Sequence, residues 1–351
     1  MSTPQTQMAN DVLDLKNLKF SLNDGTSIPA IGLGCWMGIT HGARESPQVV
    51  EMVERALKVG YRALDTASNY GNERSVCQGI LQSGVSREEI YVTTKLTSED
   101  HARVSQALQT SLEKLGLDYV DLYLMHWPQA FDEQGKTLQP DQSPTILETW
   151  KQMEEMVFAG KAKSIGVSNF SVKSLQVLLS PSGSESEKKI RIVPAVNQIE
   201  SHPCLPQIAF LEFCKTQGIH VTAYSPLGKN LFAGDESVRR VVERVNANLD
   251  RGHEPRGERV TPAQVLLSWA IQRGTSVIPK SVGEERMKEN LRLIHLDEES
   301  ISTLGNLHKK EGMHRSVCGF HSTELGGSCF GWTYEQLGWD MVIGGVIPSS
   351  T

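Results

Sequence analysis

The chain has no hydrophobic run of eighteen residues, no cysteine pair at C-x-x-C spacing and no excess of positive charge. Each absence removes a class of function. Without a long apolar run there is no membrane span. With 35 Lys and Arg against 41 Asp and Glu, the net charge is −6 and gives no basic face for nucleic acid. The six cysteines, at 35, 77, 204, 214, 318 and 329, stand singly, so no disulfide framework is expected. His202 and Cys204 flank Pro203, but with no second clustered pair they are two unrelated residues rather than a metal site. The polar opening "MSTPQTQMAN" lacks the basic start and apolar core of a secretory signal, and Ser349-Ser350-Thr351 is not a peroxisomal address. A reduced, cytoplasmic protein is the expectation.

Two nucleotide-binding fingerprints are missing as well. Gly32 and Gly34 are followed by Met37 where G-x-G-x-x-G needs its third glycine, and no Walker A loop occurs. What is present is regular alternation. A hairpin is expected in "LKFSLNDGTSIPAIGLG", turning at Asn23-Asp24-Gly25. Strands follow near Ile31–Gly34, Tyr61–Asp65, Ile90–Lys95, Tyr119–Met125, Ala162–Val167, Ile192–Gln198, His220–Tyr224 and Ser276–Pro279. Amphipathic helices fit between them. "SPQVVEMVERALKVG" has apolar residues at 49, 50, 53, 56 and 57, and "ARVSQALQTSLEKLG" stops at Gly116. "TPAQVLLSWAIQRG" opens with Thr261 as cap and Pro262 in the first turn. Eight such repeats predict one α/β domain, a (β/α)8 TIM barrel spanning 1–351. Residues 1–15 read as a polar N-terminal extension. Ser180–Lys189 and Asp250–Glu258 read as loops, and 308–351, above all from Gly312 on, as an irregular C-terminal tail.

In such a barrel the chemistry sits where strands end. The polar residues there are Asp65, Lys95, His126, Ser168, Asn169, Gln198, Tyr224 and Lys280, with Tyr70 in the loop after Asp65. Singly, each has an ordinary reading: a capping aspartate, a loop tyrosine, a core histidine, a solvated cation. Lys95 is already unusual, because lysine is seldom buried unpaired. Together they form a proton-transfer set. The Asp65 carboxylate keeps Lys95 protonated, the ammonium lowers the pKa of the Tyr70 phenol, and His126 hydrogen-bonds the same substrate oxygen. Such a device protonates an oxygen as it becomes negative, which suits reduction of a carbonyl by hydride.

The stretches "GYRALDTASNYGNE", "TTKL", "LDYVDLYLMHWP", "IGVSNF", "NQIE", "AYSPLG" and "IPKSVGEERMKEN" resemble, in order, the signatures of the aldo-keto reductase family, over Leu18 to Leu307. The likeness is closer to fungal NADPH-dependent aldehyde and polyol reductases than to animal members. Residue by residue, the resemblance implies a catalytic set of Asp65, Tyr70, Lys95 and His126, and NADPH bound without a Rossmann fold. It implies Ser168, Asn169 and Gln198 at the nicotinamide carboxamide and Tyr224 stacked on the ring. Ser225 and Leu227 fall near the pyrophosphate, Lys280, Ser281 and Arg286 at the 2′-phosphate, and Glu289 and Asn290 beside the adenine. Gly34 and Cys35 contact the cofactor through backbone. Trp36, Trp127 and His126 face a small carbonyl substrate, and the family default is monomer or homodimer.

Two departures bear on substrate. Thr97 stands where several relatives carry a bulky aromatic, which predicts a roomier or more polar pocket for glyceraldehyde or sugars. Cys35 replaces a common threonine, with little effect expected. The tail offers Phe320, Phe330, Trp332, Tyr334 and Trp339 as pocket candidates. Two other functions use the same residues. One is a Schiff-base lyase acting through Lys95, which a charged ammonium disfavours. The other is a cofactor-sensing binding protein like the potassium-channel β subunits.

Overall fold

The computed structural model describes residues 12–14, 18–38, 45–179, 190–251 and 259–348. Its centre is a ring of eight parallel strands in chain order: β1 (Leu33–Gly34), β2 (Ala63–Asp65), β3 (Tyr91–Leu96), β4 (Val120–Met125), β5 (Ala162–Ser168), β6 (Val196–Glu200), β7 (His220–Tyr224) and β8 (Ser276–Val277). First and last strands close the ring. Ile31 bridges Val277 in parallel, Gly32 N–H donates to the Val277 carbonyl at 2.9 Å, and Gly34 N–H to the Pro279 carbonyl at 3.1 Å. The expected (β/α)8 barrel is therefore the fold.

The helices follow the apolar spacing. α1 (Pro47–Val59) buries Val49, Val50, Met52, Val53, Ala56 and Leu57 against the barrel. α2 (Glu73–Ser83) follows β2, and α3 (Val104–Leu115) follows β3 and ends at Gly116 with φ 65°. The helix Pro262–Gln272 starts in a capping box: Thr261 Oγ1 accepts from Gln264 N–H, and Gln264 Oε1 accepts from Thr261 N–H. The N-terminal hairpin pairs Lys19–Ser21 with Ser27–Pro29. Its Leu22 and Ile28 pack on Leu122, Leu124, Ala195 and Val196, covering the end of the barrel where strands begin.

Some boundaries differ from expectation, for local reasons. The sixth strand starts at Val196 rather than Ile192, since Glu154 Oε1 accepts from the N–H groups of Arg191 and Ile192 and Pro194 has no N–H to give a ladder. It runs on to Glu200, two residues past Gln198. The second strand starts at Ala63, because Tyr61 N–H still serves the end of α1 by donating to the Ala56 carbonyl. Part of the polar extension is structured: Val12–Asp14 pairs antiparallel with Arg292–Ile294. The tail is not wholly irregular either, since Ser328–Cys329 and Trp332–Thr333 pair and a helical turn follows at Tyr334–Leu337. Residues 180–189 lie outside the described residues, as do 252–258; Asp250 and Arg251, expected in the second loop, instead close the helix Glu236–Arg251. Among the described residues no helix is long and apolar enough to cross a membrane.

Close packing of β5 on β6 requires Gly166. A methyl there would lie 2.4 Å from the Val196 carbonyl oxygen and 2.8 Å from Leu124 Cδ2. Gly166→Ala is expected to destabilise the barrel by about 1–3 kcal/mol through overpacking, read as a shifted urea midpoint at unchanged slope.

Candidate active site

Side chains on a strand alternate between faces, so every second residue of each barrel strand points inward. Ala63, Asp65, Thr93, Leu122, Gln198, Thr222 and Ser276 surround one small interior space. One step further toward the strand ends stand Lys95, His126 and Ser168. Lys95 is fully enclosed, with its Nζ 2.5 Å from Asp65 Oδ1 and 2.9 Å from the Thr66 carbonyl oxygen. The other carboxylate oxygen of Asp65 accepts from Gln198 Nε2 at 2.7 Å. Burial works against the Lys95 ammonium, but the Asp65 carboxylate and the hydrogen bonds to Asp65 and the Tyr70 oxygen outweigh it and move its pKa up. The lysine is a held cation.

Tyr70 is carried by the turn Ser68–Tyr70 directly after β2. Ser68 Oγ donates to the Lys95 carbonyl, while Asn72 accepts from Thr66 Oγ1 and donates to the Cys35 carbonyl, so the loop is tied to both flanking strands. These ties put the phenol oxygen 3.4 Å from Lys95 Nζ. The ring of Tyr70 meets Trp36 at 4.9 Å and the edge of His126 at 5.7 Å. Lys95 draws the phenol pKa down as expected, but not below its ordinary value. Burial pushes it up, Lys95 offsets this only in part, and the net direction is upward. His126 is held well below the usual histidine value by burial and then by the Lys95 charge, so its imidazole is neutral. Its Nδ1 has no partner among the described residues.

The next three strands carry a second network. Ser168 Oγ donates to the Gln198 carbonyl, and Asn169 Nδ2 to the His126 carbonyl at 3.0 Å. Tyr224 OH donates to Asn169 Oδ1 at 2.7 Å, which fixes the plane of the Tyr224 ring at the end of β7. Asn169 and Ser225 both have left-handed backbone, with φ of 64° and 49°. Leu227 packs partly on the core. Beyond β8, Lys280 and Arg286 are exposed. Among the described residues neither has a carboxylate partner, whereas Lys288 on the same helix as Arg286 is tied to Glu284 and Glu285. Ser281 and Asn290 are buried and Glu289 is half-buried. Gly34 sits where a side chain would strike the Ile278 carbonyl oxygen at 2.8 Å. Cys35 is buried with its N–H given to the Asp65 carbonyl, and burial pushes its thiol up to about 12.

Three of the five tail aromatics reach Trp127. Phe320, Phe330 and Trp339 lie 5.0, 4.7 and 6.2 Å from its ring. Trp332 instead donates to the Leu138 carbonyl, and Tyr334 packs on His321 and Trp339. Thr97 Oγ1 is turned to Glu99 in the next loop. A cavity of about 450 Å³ opens beside the centre, lined by residues that include Asn169, Glu200, Tyr224 and Phe320 but none of Asp65, Tyr70, Lys95 or His126. The candidate site is therefore defined by this polar cluster and not by the larger space. Sequence reasoning missed Glu200, although its place two residues after Gln198 on β6 already puts it on the same face.

A family model described as the aldo/keto reductase family matches residues 30–309. Among curated proteins, the NADP(+) glycerol 2-dehydrogenase of Saccharomyces cerevisiae is 40% identical over 312 residues, covering 85% of this chain and 93% of that protein. The D/L-glyceraldehyde reductase of Hypocrea jecorina is 39% identical, covering 83% and 87%. The crystal structure of a Bombyx mori aldo-keto reductase in complex with NADP superposes with a TM-score of 0.71 at 34% identity, over 82% of this chain and 92% of that one.

Proposed function

The chain belongs to the aldo/keto reductase family, and from that premise we propose that it reduces an aldehyde or sugar carbonyl to the alcohol, with Tyr70 as the proton donor. It is an NADP(H)-dependent oxidoreductase of that family. The observation that carries the assignment of the acid is the enclosed Lys95–Asp65 pair with the Tyr70 phenol beside it.

The residues present suit the cofactor. Tyr224, pinned by Asn169, offers a fixed ring face, and Lys280 and Arg286, without a carboxylate partner among the described residues, offer two cations to a phosphate. Ser168, Asn169 and Gln198 would hold the carboxamide, Ser225 and Leu227 the pyrophosphate, Lys280, Ser281 and Arg286 the 2′-phosphate, Glu289 and Asn290 the adenine, with Gly34 and Cys35 contributing backbone. Bound NADPH supplies the hydride. The chain's own residues do the rest. Neutral His126 orients the carbonyl oxygen, Trp36 and Trp127 bound the space around it, and Tyr70 OH gives its proton to that oxygen as negative charge builds there. Lys95 then faces the phenolate so formed, and Asp65 keeps the lysine charged. A protonated lysine is a poor nucleophile, which weighs against a Schiff-base lyase.

The test of the function is a panel of aldehydes, sugars and ketones followed by loss of NADPH absorbance; no turnover of any, with NADPH still bound, would favour a cofactor-sensing protein. A second test addresses the phosphate pocket. Lys280→Ala and Arg286→Ala are each expected to weaken NADPH by about tenfold or more, the value of one charge-assisted hydrogen bond, and to leave NADH nearly unchanged. An unaltered preference would place the 2′-phosphate elsewhere.

A further inference from the structure

Glu200 is the last residue of β6, buried, and on the same face of the strand as Gln198. Gln198 binds Asp65, whereas Glu200 turns its carboxylate to the C-terminal tail. Its Oε2 accepts from Ser316 Oγ at 2.5 Å, and its Oε1 from Val317 N–H at 2.7 Å. His202 Nε2 lies 3.0 Å from Oε1 on the other side. Around this point the tail is tied by further bonds: Arg315 N–H to the Cys204 carbonyl at 3.2 Å, Ser316 N–H to the Gly345 carbonyl at 2.8 Å, and Cys318 N–H to Ser316 Oγ at 3.1 Å. Ser316 is itself buried. Only three residues after Val317 comes Phe320, which meets Trp127 edge-on. A full negative charge withdrawn from water needs such donors, and the tail supplies two of them.

We infer that Glu200 is a positioning residue: its carboxylate seats the tail at Ser316 and Val317 and so sets the aromatic wall of Phe320, Phe330 and Trp339 around Trp127, which selects carbonyl substrates with an apolar, aromatic end. The inference rests on the reading of this centre as a carbonyl reductase. It also revises the substrate class, because the surface around Trp127 is built of rings packed on it rather than of the polar groups suggested by Thr97. One strand thereby serves both halves of the site, through Gln198 to the reacting groups and through Glu200 to the wall.

The experiment compares the full-length protein with Glu200→Gln and Ser316→Ala. Hydrogen exchange read by mass spectrometry follows amides of the tail, and steady-state kinetics compares phenylacetaldehyde with propanal, which presents almost no apolar end. In Glu200→Gln, exchange in the tail around residues 315–320 is expected to quicken by about tenfold, and KM for phenylacetaldehyde to rise by a similar factor, while kcat and the propanal KM stay within about twofold. Ser316→Ala, which leaves the Glu200–His202 contact in place, should show the same split at smaller size and decides the matter if Glu200→Gln fails to fold. Unchanged tail exchange, or equal KM shifts for both aldehydes, would overturn the assignment. If the wild-type protein turns over no aldehyde at all, the reductase reading fails, while the exchange measurement still decides whether Glu200 seats the tail.

Discussion

Tyr70→Phe is expected to lower the rate of carbonyl reduction by about 10²–10⁴-fold, the usual worth of a positioned acid, while NADPH affinity stays within about twofold. The substitution removes one oxygen from a ring that keeps its contacts with Trp36 and His126. The upward shift of the phenol does not weaken this expectation. An alkoxide is a far stronger base than a phenolate, so transfer runs downhill even from an unactivated phenol. A raised pKa keeps the donor protonated at neutral pH. On the proposed mechanism Lys95 would act by stabilising negative charge on the Tyr70 oxygen as the proton leaves, in the transition state rather than in the resting enzyme. Stopped-flow measurement of the first turnover separates this loss from any change in product release. Near wild-type rates in the phenylalanine variant would give the acid role to another group.

The second large effect is expected at Lys95. In Lys95→Met the carboxylate of Asp65 stays buried with, among the described residues, only Gln198 as a side-chain donor. Breaking a buried ion pair from one side costs about 3–5 kcal/mol, so both stability and activity should fall. Chemical denaturation measures the first, and NADPH oxidation the second. The double variant Asp65→Asn with Lys95→Met separates the two roles. Removing both charges should restore much of the stability but none of the lost rate. Recovery of activity along with stability would show that the pair only supports the fold.

Much of this centre was legible in the chain before folding. An apolar run that ends in a polar residue, repeated at Asp65, Lys95, His126, Ser168 and Gln198, locates one mouth of a barrel, because burial demands apolar strands and the polar breaks fall at one end of them. Other features needed three dimensions. Tyr70 sits five residues past Asp65, and nothing local shows that Ser68, Asn72 and Thr66 tie its loop so that the phenol meets Lys95. The net direction of its pKa is a contest between burial and one cation, and only the depth of the site decides it. The sixth strand was misplaced at its start because Glu154, far away in sequence, takes the N–H groups of Arg191 and Ile192. The same strand also runs two residues past its expected end at Gln198, and that early end hid Glu200. The tail is the clearest case: Phe320, Phe330 and Trp339 reach Trp127 while Trp332 and Tyr334 do not, a division set by long-range packing that residue type cannot encode.

The most direct test of the proposed proton-donating unit is the pH dependence of the first-turnover reduction rate in the wild-type enzyme. His126 is neutral because burial and Lys95 hold it well below its ordinary range, and Tyr70 is protonated because burial holds it above its own. The rate should therefore be level from about pH 6 to about pH 8, with no inflection near the ordinary histidine value of about 6.5, and should decline only on the alkaline side as the phenol ionises. A rate that falls through pH 6.5 toward neutrality, and loses that inflection in His126→Ala, would make imidazolium the donor and contradict the account.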